Sequence, residues 1–218
     1  MRSTKSAARS DFEPLPRSFY ARPVVRVARD VIGKLLVHHT AAGTLVGRIV
    51  EAEAYRGPED RAAHSFGGRR TERTEVMFGE PGLAYVFFVY GMHWHVNLVT
   101  TRAGAPHAVL LRAVEPLLGA ELMAERRGIA ASNVNLTNGP GKLCQAFGID
   151  RRYYGADLTQ GALFLSDTDA PRGKLGRSAR IGVDYAEAWA DRQWRFFEQG
   201  NRWVSRGRPS QRSAAPGG

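Results

Sequence analysis

The chain has 218 residues, 43% hydrophobic and 24% charged, a composition that excludes a disordered or fibrous protein and fits one globular domain. No run approaches the roughly 20 apolar residues a membrane helix needs, and the basic N-terminus MRSTKSAARSDFEPLPRSF lacks the apolar core of a secretory signal. The formal charge of +10 invites a nucleic-acid reading, yet Arg2, Lys5 and Arg9 at one end and Arg206, Arg208 and Arg212 at the other account for six of those charges.

In chain order, residues 1–11 read as a basic tail, 12–205 as a single domain and 206–218 as a second basic tail. Pro23 can open a helix and Gly33 end it, with Val24, Val27, Ala28, Val31 and Ile32 supplying the apolar face. Lys34–Thr40 and Thr44–Ala54 read as strands joined by an Ala-Ala-Gly turn, and Ala84–Tyr90 with Trp94–Thr101 as a hairpin around Gly91. A further strand is expected at Ala108–Glu115 and helices at Pro116–Arg127 and Gly141–Phe147. A strand near Ala179–Val183 and a short element through Trp189 and Phe197 complete the series. Central strands with helices outside them make the class α+β. Cys144, the single cysteine, allows no internal disulfide, so a reducing cytoplasm is the expected compartment.

Strict alternation places Ile49, Glu51, Glu53 and Tyr55 on one strand face and Val50, Ala52 and Ala54 on the other. Carboxylates at i and i+2 lie about 7 Å apart, so burial of both would raise one pKa and free it for acid–base work. The bland alternative is a solvated acidic face. The hairpin turn is unusual because Tyr90-Gly91-Met92-His93-Trp94 carries large side chains where turn formers are expected. Such a tip either packs on the core or projects as a wedge able to unstack a duplex step.

IVEAEAY followed by RGPEDRAAHS, RTEVMFGEPGLAYVFFVYGMHWHVNLVT, AVLLRAVEPL, LTNGPGKLCQAFGI and RIGVDYAEAW with RFFEQGNRWVS resembles the alkyladenine (3-methyladenine) DNA glycosylase family over about Phe19 to Ser205. The resemblance implies a curved, mainly antiparallel sheet with a protruding β-hairpin and surrounding helices. It implies excision of damaged purines from double-stranded DNA by hydrolysis of the N-glycosidic bond. Glu53 then activates the water, with Arg112 and the backbone carbonyl of Ile181 aiming it, and Tyr55, His64 and Phe87 hold the extruded base. Asn97 screens against guanine, Tyr90 is the wedge, and Met77 and Met92 line the neighbouring groove contact. Some relatives have tyrosine at the place of Phe87, which keeps a stacking face but no hydroxyl. His95 takes no role in this scheme.

No lysine lies in these motifs, so a hydrolase without Schiff-base lyase chemistry is expected. No cofactor or metal is expected either, His93-x-His95 lacking an evident third ligand. Gly139-Pro140-Gly141-Lys142 lacks phosphate-loop spacing, although Lys142 at a helix start could meet a DNA phosphate. Arg172, Lys174, Arg177 and Arg180 form a basic stretch read as a DNA backbone contact, the alternative being a solvated loop. A monomer without membrane or obligate protein partner suffices. Two other readings stand beside this one: a glycosidase on small nucleosides or sugars using Glu51 and Glu53, and a catalytically silent damage binder.

Overall fold

The computed structural model describes residues 12–89 and 91–210. Among them the strands are β1 (Leu35–Thr40), β2 (Gly43–Arg56), β3 (Ala84–Val89), β4 (His93–Thr100), β5 (His107–Leu118), β6 (Leu163–Ser166), β7 (Leu175–Ser178) and β8 (Arg195–Glu198). The α-helices are α1 (Arg17–Tyr20), α2 (Val24–Asp30), α3 (Ala120–Arg127) and α4 (Pro140–Phe147). All strand pairings are antiparallel, in the order β3-β4-β5-β2-β1-β6, with β8 joining both β2 and β7. This is the α+β class expected from the sequence, with an open antiparallel sheet. No helix among the described residues is long and apolar enough to cross a membrane.

The long strand β2 organises the molecule. Its first half pairs with β1, from Gly43 to Arg48, and after Val50 the same edge pairs with β8 at Glu51, Ala52 and Glu53. The change of neighbour coincides with an irregularity against β5, where Ile49 faces Val114 but Glu51 faces Ala113. Val50 is thus an extra residue, and a bulge of this kind reverses which face the following side chains meet. It corrects the strict alternation predicted above: Ile49 joins Ala52 and Ala54 in the main core, while Glu51, Glu53 and Tyr55 face the other way. A second irregularity skips Arg112 on β5, since Glu51 pairs with Ala113 and Ala52 with Leu111.

Helix α2 lays Val24, Val27 and Ala28 on this core, joined by Val31 and Ile32 beyond its end, and all five are buried. Full burial of each valine or isoleucine contributes roughly 1.5–3 kcal/mol. Helix α4 opens at Pro140, whose missing N–H costs nothing at the first turn, and buries Leu143, Cys144, Ala146 and Phe147.

Three other expectations are corrected. Residues 116–118 belong to β5, not to a helix: Pro116 and Leu118 pair with Gly47 and Val46, and α3 starts only at Ala120. Gly119 makes the break with φ +76°, where a Cβ would fall 2.5 Å from Leu45 Cδ2 and 2.8 Å from the Thr44 carbonyl. The strand expected near Ala179–Val183 lies earlier, at Leu175–Ser178, and Ile181 makes only an isolated bridge to Pro209. Trp189 and Phe197 sit in separate elements, a 3-10 turn over Asp184–Trp189 and β8. Packing also continues past the expected boundary at Ser205, as Ser210 is buried. Residues 1–11 and 211–218 lie outside the described residues.

Candidate active site

Glu53 is wholly buried on β2, and three donors converge on its carboxylate. Tyr55 Oη donates to Oε2 at 2.8 Å, Arg112 Nη1 donates to the same oxygen at 3.2 Å, and the Ile181 amide donates to Oε1 at 2.8 Å. Burial, and then the adjacent Glu53, keep the Tyr55 hydroxyl far above its usual pKa, so it stays a neutral donor. Arg112 reaches two carboxylates at once because its strand slips register here: its Nε also donates to Glu51 Oε1 at 2.8 Å. Both acids therefore share one guanidinium, and neither is the solvated strand face that was the bland alternative.

Glu51 is the more heavily engaged of the pair. Arg195 Nε donates to Oε1 at 2.7 Å, while Ser205 donates through its hydroxyl at 2.8 Å and its amide at 2.7 Å. Burial by itself would raise the Glu51 pKa, but Arg112, Arg195 and the Ser205 amide outweigh it and hold the carboxyl below its ordinary value. The mutual-repulsion scheme, which required one raised carboxyl, is not met at Glu51. Its acceptor sites are spent on structural donors.

In front of this network opens a pocket of about 300 Å³, a size within the usual range of small-molecule sites. Tyr55, His64, Met77, Phe87, Asn97, Arg112 and Ile181 all line it. Tyr85, His95, Val183 and Tyr185 line it as well, and the sequence reading gave them no role. Phe87 is nearly buried, its ring centroid 4.5 Å from that of His64 in an edge-on contact and 5.1 Å from Tyr85 in a stacked one. His64 Nδ1 is hydrogen-bonded to Tyr85 Oη at 2.8 Å. Asn97 pairs with Tyr85 across the hairpin and donates Nδ2 to its carbonyl at 3.1 Å. Val89 and His93 close the strand ladder, Gly91 turns at φ +66°, and Met92 beyond it is 69% exposed. The described part of the tip thus stands out from the core; Tyr90 lies outside the described residues.

The loop from Tyr55 to His64 is tied down by Asp60. Its carboxylate accepts the amides of Arg56 at 3.1 Å and Ala62 at 3.0 Å, and takes two donors from Arg180 at 2.5 and 2.9 Å. Arg180 and Asp60 are fully buried, and Arg180 also donates to the Ala54 and Trp189 carbonyls at 2.9 and 3.0 Å. Arg180 is therefore no DNA backbone contact, which corrects the reading of the basic stretch before Ile181. It rivets that segment to the loop. Nothing in the sequence marks a pair 120 positions apart.

The remaining basic candidates are not brought to the pocket together. Arg172 packs on Gly33 and donates to the Arg29 carbonyl at 3.4 Å, beside α2. Lys174 and Arg177 are exposed on or next to β7. Lys142 alone is near, on the first turn of α4 behind the pocket-lining Pro140, and it donates to Asn135 and Asn138. No group of three metal-binding side chains occurs among the described residues.

Both pocket histidines are neutral at pH 7. His64 still meets solvent, yet crowding by the protein, then Arg73 and Arg69, lowers its pKa from 6.5 to about 4. Burial and then Arg112 bring His95 to about 4 as well, and burial likewise lowers His38 and His107. A folded-state pKa below the unfolded value means that the unfolded chain binds more protons between about pH 6.5 and 4. Stability from His95 is thus complete above pH 6.5 and is lost as the pH falls through that window, and His38 and His107 act in the same direction. Urea denaturation from pH 7.5 to 4.5 should show this decline, and His95→Phe should flatten it.

Aromatic rings wall the pocket, and a buried glutamate held by an arginine and a main-chain amide stands behind it. The profile of the methylpurine-DNA glycosylase family matches residues 18–202, and the chain belongs to this family. A Desulfitobacterium hafniense protein is 47% identical over 198 residues, spanning 88% of this chain and 98% of its own length. A Methanocella arvoryzae protein is 47% identical over 196 residues, spanning 89% and 97%, and one from Clostridium acetobutylicum 43% identical over 198 residues, spanning 88% and 97%. Each bears the name "Putative 3-methyladenine DNA glycosylase".

Proposed function

We propose that the protein is a monofunctional base-excision repair glycosylase that extrudes an alkylated or otherwise damaged purine from duplex DNA, hydrolyses its N-glycosidic bond and leaves an abasic site. The observation that carries this reading is the position of Glu53 behind an aromatic pocket. A carboxylate has about four acceptor sites, and Tyr55, Arg112 and Ile181 occupy three of them. The remaining site, on Oε1, accepts the attacking water. That water lies opposite the leaving base, and the negative charge behind it offsets the positive charge that develops on the sugar.

Tyr55, His64 and Phe87 grip the flipped base by stacking, with Asn97 on the wall where a purine edge presents its substituents. Neutral His64 and His95 suit a cationic alkylpurine, which a protonated imidazole would repel. Alkylation also makes the base a better leaving group, so the site gains selectivity from the lability of its substrate. Tyr90 enters the duplex as the wedge, with the exposed Met92 in the groove; Met77, expected beside it, is instead buried against Tyr85 and Phe87 and backs the pocket wall, and Lys142, Arg172, Lys174 and Arg177 contact the backbone. The enzyme acts as a monomer in the cytoplasm, where DNA is its only required partner.

A single-turnover assay on duplexes bearing one 3-methyladenine, hypoxanthine or etheno-adenine tests this. The expected result is release of free base and an alkali-labile strand, with no enzyme–DNA adduct trapped by borohydride. A trapped adduct would refute the monofunctional assignment, and release of no base from any duplex would refute the glycosylase.

A further inference from the structure

Residues 205–210 run as a strap that bonds Glu51 at one end and, at the other, the segment whose Ile181 amide reaches Glu53. At its start, Ser205 donates its amide and hydroxyl to Glu51, the acid that shares Arg112 with Glu53. At its end, the Ser210 amide donates to the Arg180 carbonyl at 2.7 Å, and Ser210 Oγ accepts the Val183 amide at 2.8 Å. Between them Pro209 bridges to Ile181, and Gly207 lies so close that a Cβ there would fall 2.8 Å from Ile181 Cδ1. The segment clamped in this way, Ile181-Gly182-Val183, belongs to no strand and lines the pocket. Its Ile181 amide is also one of the three donors that orient Glu53.

An irregular segment holds its place only through such ties. Arg180 fixes one end of Ile181-Gly182-Val183 through Asp60, but nothing in β7 or β8 pairs with Val183. Gly182, at φ +72°, gives the segment freedom between its two anchors. Ser210 is the anchor on the far side and is itself buried.

We infer that Ser210 is a positioning residue for the hydrolytic step: it clamps Ile181-Gly182-Val183 so that the Ile181 amide aims Glu53, and it does so without touching the base. This rests on the glycosylase reading above. Displacements near 1 Å at a reacting centre can cost up to about 10²-fold in rate, whereas His64 and Phe87 lie on other elements and Tyr55, although it packs against the cluster that includes Val183, is held by β2. Loss of the clamp therefore slows excision and leaves recognition of the lesion intact.

The test is single-turnover excision on the best of the lesion duplexes, with binding of the same duplex measured in parallel, for full-length wild type, Ser210→Ala, Ser210→Thr and Gly207→Val. Removing the Ser210 hydroxyl leaves the Val183 amide without its acceptor, and a valine at 207 pushes on Ile181 from the same side. Ser210→Ala and Gly207→Val should each excise about tenfold more slowly while binding lesion DNA within about twofold of wild type. Ser210→Thr, which keeps the hydroxyl, should recover most of the rate. If wild type excises but Ser210→Ala, folded by its thermal melt, matches it, the inference fails and the glycosylase stands. Equal losses of rate and binding in Ser210→Ala, or no recovery in Ser210→Thr, also overturn it. A wild type that releases no base removes the function and the inference together.

Discussion

Glu53→Gln protein should bind lesion DNA as wild type does and excise about 10³-fold more slowly in a single turnover, the loss expected when a general base is removed. The substitution is nearly isosteric. Its amide oxygen can still accept from Tyr55 and Arg112, while its amide nitrogen loses the bond from the Ile181 amide, so the stacking walls at Tyr55, His64 and Phe87 are kept. What disappears is the proton acceptor and the negative charge facing the sugar. Glu51→Gln distinguishes the alternatives. Glu51 accepts from Arg112, Arg195 and Ser205, so its change should lower stability and misplace Arg112 but leave measurable excision. Equal and complete inactivation of both variants, each shown to be folded, would favour a paired-carboxylate hydrolase.

Asp60→Ala should be the most destabilising single change outside the acid network, by about 3–5 kcal/mol, because it strands the fully buried Arg180 charge. Asp60 is the only carboxylate that forms an ion pair with Arg180 among the described residues. The same substitution frees the Arg56 and Ala62 amides, so the loop bearing His64 loosens as well. For a chain of this size the loss corresponds to a fall in melting temperature of roughly 6–20 °C. Chemical denaturation checks it directly, and a change under about 1 kcal/mol would show that the Arg180 charge is not stranded but finds water or another partner once Asp60 is gone.

Much of the candidate site was legible in the sequence. Glu53, Tyr55, His64, Phe87, Asn97, Arg112 and Ile181 come from four separated stretches of the chain, and the fold assembles them around one pocket. Tyr85 and His95 sit in the same hairpin and were readable as pocket residues by alternation with Phe87 and Asn97. Arg180 was misread because a solvated arginine and a buried one look alike in a sequence; only the approach of Asp60 separates them. The helix expected from Pro116 failed for a similar reason. Pro116 suits a helix start, but the neighbouring strand β2 extends far enough to pair with it.

By itself the sequence determined the periodicities, the turn formers and the ordered chemical motifs. These depend on near neighbours along the chain, and they were enough to specify the α+β class and the hairpin, while the pocket side chains were named only through the family resemblance that the motifs carry. The tertiary structure alone decided which charges meet. The bulge at Val50 reversed one strand face, the slip at Arg112 brought a single guanidinium to two acids, and the strap at 205–210 reached back to Ile181 and Val183. Each of these outcomes depends on contacts between distant segments and on desolvation. Both are properties of the packed molecule, and local sequence carries no record of them.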